Sequence, residues 1–329
     1  MKQKQTYIIA EIAQGFEGDI NLCKRFIKLA KAVGANAVKF QIFRAEEICT
    51  SDYKYYDLFR SLEIDPAVWT EMIDFAVENG LDFFVDISGL KTLSWIEKAK
   101  ITGYKIHSTD LKNYELLNAL KDKNTTIILS AGGGIVEELE KAIKLLGKNK
   151  IIIMSGFQAE PNLHSDVELD KIEYLKTKFN VEVGYADHLD ANEPLATVLP
   201  AMAVLKGASY IEKHLTIDRN NLQLEDYVSA LNPDEYIKMI SFIRNVEAFS
   251  VTGNTFPLSE REQTYRKNTK KVVLAKCEIK AGQVISAHDL MMLRTGKTFE
   301  KIIDIETVIG KTAVNNIAAE AVITEELIK

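Results

Sequence analysis

Eight times within the first 250 residues, a short run rich in β-branched and aromatic side chains gives way to a longer amphipathic stretch. The runs fall at residues 7–13, 37–41, 81–85, 103–106, 126–129, 151–155, 182–185 and 210–214. Between them the spacing predicts helices, including 21–33, 66–79, 136–146, 168–179 and 195–206, and a last one over 233–249. Apolar runs of this length, separated by helices, mark parallel strands covered on both faces. Eight such units predict an α/β fold, a closed (β/α)8 TIM barrel over residues 1–250; an open doubly wound sheet shows the same alternation.

The pattern breaks after residue 249. Residues 251–270 are polar, carry Gly253 and Pro257, and are expected to be a linker. Over 271–329, short apolar pairs are punctuated by turns, as in Val272-Val273-Leu274-Ala275 and Lys280-Ala281-Gly282-Gln283. This predicts a small β-rich domain with a short helix near 286–290. A core so thin is expected to pack on something else, such as a second subunit. The net charge of -6 gives no reason to expect nucleic acid, and an anionic substrate would need a local cationic pocket. No stretch reads as a signal peptide or is apolar for long enough to span a membrane. Cys23, Cys49 and Cys277 lack pairing or metal spacing, which points to a reduced, cytoplasmic protein.

In a barrel of this kind chemistry sits at the C-terminal ends of the strands. The polar residues at those ends are Glu11; Lys39 and Gln41; Asp86; Lys105 and Ser108; Ser130; Ser155, Gln158 and Glu160; Asp187 and His188; and Glu212, Lys213 and His214. Alternation along a strand puts Glu212 and His214 on one face, and Lys39 and Gln41 on one face. A solvated face explains one charge well, but it explains poorly a lysine inside Ala37-Val38-Lys39-Phe40, where an unpaired ammonium is costly to bury. His188 and His214 come from adjacent strand ends. They suit a divalent metal with open positions, or a pair of hydrogen-bonded core histidines. His107 and His164 lack this placement. The run Ser130-Ala131-Gly132-Gly133-Gly134 suits a phosphate cradle and, equally, a plain turn.

These strings resemble the sialic acid (N-acetylneuraminate) synthase family. The match runs from Tyr7 to Ile328 and includes Ala10-Glu11-Ile12, Val38-Lys39-Phe40-Gln41, Lys105-Ile106-His107-Ser108, Gly184-Tyr185-Ala186-Asp187-His188 and Glu212-Lys213-His214-Leu215-Thr216. Ile279-Lys280-Ala281-Gly282 and Leu293-Arg294 resemble its C-terminal antifreeze-like (SAF) domain. The resemblance implies a barrel whose small domain reaches the partner's site in a domain-swapped homodimer. It implies condensation of phosphoenolpyruvate with an N-acylated hexosamine, helped by Mn²⁺ or a similar divalent ion such as Mg²⁺ or Co²⁺. Glu11 matches the acid/base carboxylate, His188 and His214 the metal ligands, and Lys39, Gln41, Lys105, Ser108 and Ser130 the groups that hold phosphoenolpyruvate. Arg294 matches the arginine sent toward the sugar from the partner. Gln158, Asp187 and Glu212 join the candidates for substrate contact.

Four positions depart from the family pattern: Phe16 replaces a histidine, Asp86 a phosphate-binding threonine, Glu160 a tyrosine and Ala186 a serine. Extra carboxylates near a phosphate subsite weaken anion binding unless they are protonated or paired. The readings are therefore a nonulosonic acid synthase, another metal-dependent barrel lyase or aldolase acting on a sugar acid, and a non-catalytic sugar-binding relative.

Overall fold

Eight parallel strands pair in chain order, and the last closes on the first. They are β1 (Tyr7–Ala13), β2 (Ala37–Ile42), β3 (Asp82–Ile87), β4 (Gly103–Ile106), β5 (Thr126–Ser130), β6 (Lys150–Ser155), β7 (Glu182–Asp187) and β8 (Tyr210–His214). Closure is direct: Tyr7 to Glu11 of β1 lie beside Tyr210 to His214 of β8. The open sheet is thereby excluded. This computed structural model describes residues 5–249, 257–296 and 301–329.

The chain divides into two compact units, residues 1–250 and 251–329. In the first, one apolar layer lies between strands and helices, built from outward residues such as Val38, Phe40, Phe83, Val85 and Ile211. A second core fills the barrel: Ile9, Ala37, Phe84, Ile128, Ile152, Met154, Ala186 and Tyr210. Gly103 and Gly184 make room for its large members. A Cβ on Gly103 would stand 2.7 Å from the Phe84 ring, and one on Gly184 would stand 2.8 Å from Tyr210 Cβ. This packed floor confines the polar strand ends to one mouth of the barrel.

Local signals account for the helix boundaries. Asp19 caps the helix Ile20–Ala32 by accepting from the Asn21 amide at 2.7 Å, and Asp65 caps Pro66–Glu78 in the same way. The helix predicted over 195–206 is only Leu199–Leu205. Pro200 has no N–H to continue a turn begun at 195, so the chain enters through turns and uses the proline in the first helical turn.

In the second unit β9 (Val272–Ala275) pairs antiparallel with β10 (Leu290–Leu293). Its core is small: Val273, Ala275, Ile279, Ile285, Leu290, Val308, Ala313, Ile317 and Ile323. The short helix expected near 286–290 is a 3-10 turn at Ala287–Asp289. Of the expected linker, residues 251–256 lie outside the described residues. Glu260–Thr269 is helical and closed by a Ser259–Glu262 capping box. Among the described residues no helix is long and apolar enough to cross a membrane.

Candidate active site

The site begins at a kink in β1. The register with β2 shifts between Glu11 and Ala13, Ala13 takes a φ of 49°, and its amide donates to Glu11 Oε1 at 2.6 Å. Such a bulge re-aims the side chain beside it. Glu11 is thus turned onto Lys39, its neighbour across the ladder, and the two form an ion pair. Lys39 Nζ also lies 3.3 Å from Asp86 and 3.9 Å from Glu212, while Lys105 donates to Glu212 at 2.5 Å. Register explains the cluster, since Gln41, Asp86 and Lys105 stand side by side on β2, β3 and β4. Lys39 is 0% and Lys105 2% exposed, so these charges survive burial only because they face one another.

Their protonation follows from that geometry. Burial works against the Lys39 ammonium, but Glu11, Glu212 and Asp86 outweigh it and keep it charged. Burial pushes Glu11 up; Lys39 and Lys105 pull it back only in part, Glu212 adds to the rise, and the carboxyl settles at about 7. Glu212 goes the other way, since Lys105 and Lys39 overcome burial and hold it at about 2. A carboxyl near 7 beside one fixed as a carboxylate suits proton transfer at neutral pH.

His188 and His214 stand side by side at the ends of the adjacent strands β7 and β8, their ring centroids 5.2 Å apart and the planes at 63°. Burial lowers both, His214 to about 4 and His188 well below its ordinary range, so both imidazoles are neutral. His188 Nδ1 is buried without a hydrogen-bond partner among the described residues. Two converging neutral imidazoles, one with an unused nitrogen, fit a divalent ion. Among the described residues no group of three His, Cys, Asp or Glu side chains surrounds one point, so substrate or water would complete the shell.

Glu160, on the loop after β6, stands apart from the lysines. It accepts from Ser229 Oγ at 2.6 Å and from the Ser229 amide at 3.2 Å. Burial alone would raise it, but His214, Asp226 and Ser229 outweigh burial and hold it at about 2. Asp226 is pushed well above its ordinary range by burial and by the Glu160 charge. The two form a carboxyl–carboxylate pair, with Asp226 in the left-handed region at φ 62°. The two extra carboxylates therefore occupy different places, Asp86 at the lysines and Glu160 beside a histidine.

A cavity of about 100 Å³ collects Glu11, Lys39, Gln41, Lys105, Gln158, His188, Glu212 and His214, together with Asp86, His107, Glu160 and Asp226. A wider one of about 360 Å³ borders it and shares Gln41, Asp86 and His107. Ser108 Oγ lies 3.4 Å from Gln158, and Ser130 is buried at the end of β5. Asp187 is not in the mouth. It pairs at 2.7 Å with Lys213, both fully buried on the outer faces of β7 and β8, which is what alternation requires if Glu212 and His214 point inward. Arg294 is exposed in the second unit, directly after β10. A cavity of about 460 Å³ beside the glycine run 132–134 holds none of the paired lysines or histidines. Gly132 is there for close packing: a Cβ would meet the Gly156 carbonyl oxygen at 2.0 Å. His107 and Asp226 line the mouth although strand alternation marks neither. His107 follows the last residue of β4, and Asp226 sits in the long loop after β8.

A closed parallel barrel with acid/base carboxyls, buried lysines and paired histidines at its C-terminal mouth defines a barrel enzyme. The profile of the NeuB family matches residues 26–255, and that of the SAF domain residues 270–329. An uncharacterised protein of Methanocaldococcus jannaschii is 33% identical over 91% of this chain and 88% of its own length. The N,N'-diacetyllegionaminic acid synthase of Campylobacter jejuni is 28% identical over 98% of this chain and 100% of its own. The crystal structure of the N-acetylneuraminic acid synthetase of Leptospira borgpetersenii, in complex with citrate, superposes with a TM-score of 0.74 at 28% identity, covering 80% of this chain and 91% of that one. The chain belongs to the NeuB family, and with it to the transferase-type synthases.

Proposed function

We propose that this enzyme condenses phosphoenolpyruvate with the open-chain aldehyde of an N-acylated hexosamine, giving a nonulosonic acid and phosphate. The observation that carries this is the buried Lys39–Lys105 pair facing two neutral histidines in one cavity. The lysines, with Gln41, Ser108 and Ser130, serve the carboxylate and phosphate of phosphoenolpyruvate. Gln158 and Glu212 complete the wall of that subsite. His188 and His214 would hold Mn²⁺, Mg²⁺ or Co²⁺, which supplies a Lewis acid for the aldehyde oxygen. In the reaction the enol carbon bonds to the aldehyde carbon, water adds at C2 and the C–O bond to phosphate breaks. The new alkoxide needs a proton and the added water must lose one. Glu11, at about 7, is the group in the cavity poised to do both. Arg294 would reach the sugar from a partner subunit in a domain-swapped homodimer, and the cytoplasm supplies both substrates.

Asp86 beside Lys39 favours a second reading, a barrel lyase or aldolase whose sugar acid lacks the phosphate. One experiment separates the two: phosphate release from phosphoenolpyruvate with a panel of N-acyl hexosamines, before and after chelation. Sugar-dependent release that chelation abolishes and Mn²⁺ restores supports the synthase. No release with any sugar, from folded and metal-supplied protein, sinks it.

A further inference from the structure

The lysine cluster holds more carboxyls than ammonium groups. Two ammonium groups, Lys39 and Lys105, meet three carboxyls, Glu11, Asp86 and Glu212. Lys105 is engaged by Glu212 at 2.5 Å, and Glu11 is locked by its own strand through the Ala13 amide. Asp86 is bound least firmly. Lys39 is the one lysine it contacts among the described residues, at 3.3 Å, whereas Glu212, 3.9 Å from Lys39, is also held by Lys105; Asp86 lines both the narrow cavity and the wider one of about 360 Å³, so its carboxylate has space to turn into. A phosphate drawn to Lys39 must displace a carboxylate, and Asp86 is the one that can leave.

We propose that Asp86 is a specificity-determining residue that competes with the substrate's phosphate for Lys39, yields it when the donor binds, and reclaims it as inorganic phosphate departs. The inference rests on the proposed phosphoenolpyruvate chemistry. Asp86 then limits the affinity of the site for both donor and product, and the returning ion pair helps to expel phosphate.

The test is a gain of affinity, which misfolding does not mimic. Asp86→Asn should lower the KM for phosphoenolpyruvate and the product-inhibition constant of inorganic phosphate, each by roughly tenfold. Asp86→Ser is the second variant should the amide fail to fold, with the same direction expected. Calorimetric titration of the metal-supplied enzyme with inorganic phosphate needs no turnover, so it reads the inference even where the donor proves not to be phosphoenolpyruvate. Tighter phosphate binding by the Asp86 variants supports it. Unchanged or weaker binding overturns it. In a Lys39→Met background, Asp86→Asn should gain nothing; an equal gain there would make Asp86 a general repulsive charge and overturn the competition for Lys39.

Discussion

Glu11 owes its setting to the kink in its own strand, which gives the buried carboxyl a fixed amide donor and a lysine neighbour. Its rise from an ordinary 4.5 to about 7 has a cost that depends on pH. Below 4.5 both folded and unfolded chains hold the proton, and the residue is neutral to stability. Between 4.5 and 7 the unfolded chain releases it first, so folding loses ground as pH rises; above 7 the full cost remains, about 3 kcal/mol in order of magnitude. Glu11→Gln removes that titration and, on the proposed chemistry, should abolish turnover. The variant's melting temperature, relative to the parent, should therefore climb between about pH 5 and about pH 8. A constant offset would show that Glu11 titrates normally. Lys39→Met belongs to the same scale: the charge goes and the length stays, so KM for phosphoenolpyruvate should rise at least roughly tenfold in steady-state kinetics, and the carboxylates left unpaired should lower the stability of the barrel.

Among the elements, β7 and β8 and the loop after β1 separate structural from functional residues. Asp187 and Lys213 form a buried pair outside the barrel wall, so Asp187→Ala should cost about 3–5 kcal/mol in denaturant unfolding by stranding the lysine. An undiminished stability with raised KM would return Asp187 to the substrate. Phe16 is 1% exposed and packs edge-on against Trp69 at 5.3 Å. Restoring a histidine there would bury an unpaired imidazole rather than rebuild a site, and the loss of midpoint stability should exceed any change in kcat. The strand–helix alternation carried the barrel, and the apolar setting of Lys39 carried its inward charge. The candidate Asp187 pairs outward with Lys213, which the sequence alone does not show, because a polar residue beside a histidine looks alike on either face until the register is known. His107 and Asp226 escaped for the opposite reason, since they lie past the strand ends where period two no longer applies. The helix Glu260–Thr269 buries nothing and so shows no amphipathic stripe; only its Ser259–Glu262 cap was there to be read.

For the whole molecule, the open question is which chain completes a site. The first unit contains every group gathered at the mouth, and Arg294 belongs to the second. If Arg294 acts on a partner's barrel, two inactive variants complement each other. Glu11→Gln disables a barrel, and Arg294→Ala disables the arginine sent to the other barrel. In a mixed dimer one site then carries both defects and the other carries neither. With free exchange about half the dimers are mixed, so about a quarter of all sites are intact. Equal amounts of the two folded variants, mixed and given time to exchange, should recover about a quarter of the parent activity in the phosphate-release assay. An arginine acting within its own chain predicts none, because each mixed dimer then holds one site without Glu11 and one without Arg294. Size-exclusion chromatography with differently tagged chains establishes the exchange independently, and exchange without recovery would place Arg294 in its own chain's site or in no site.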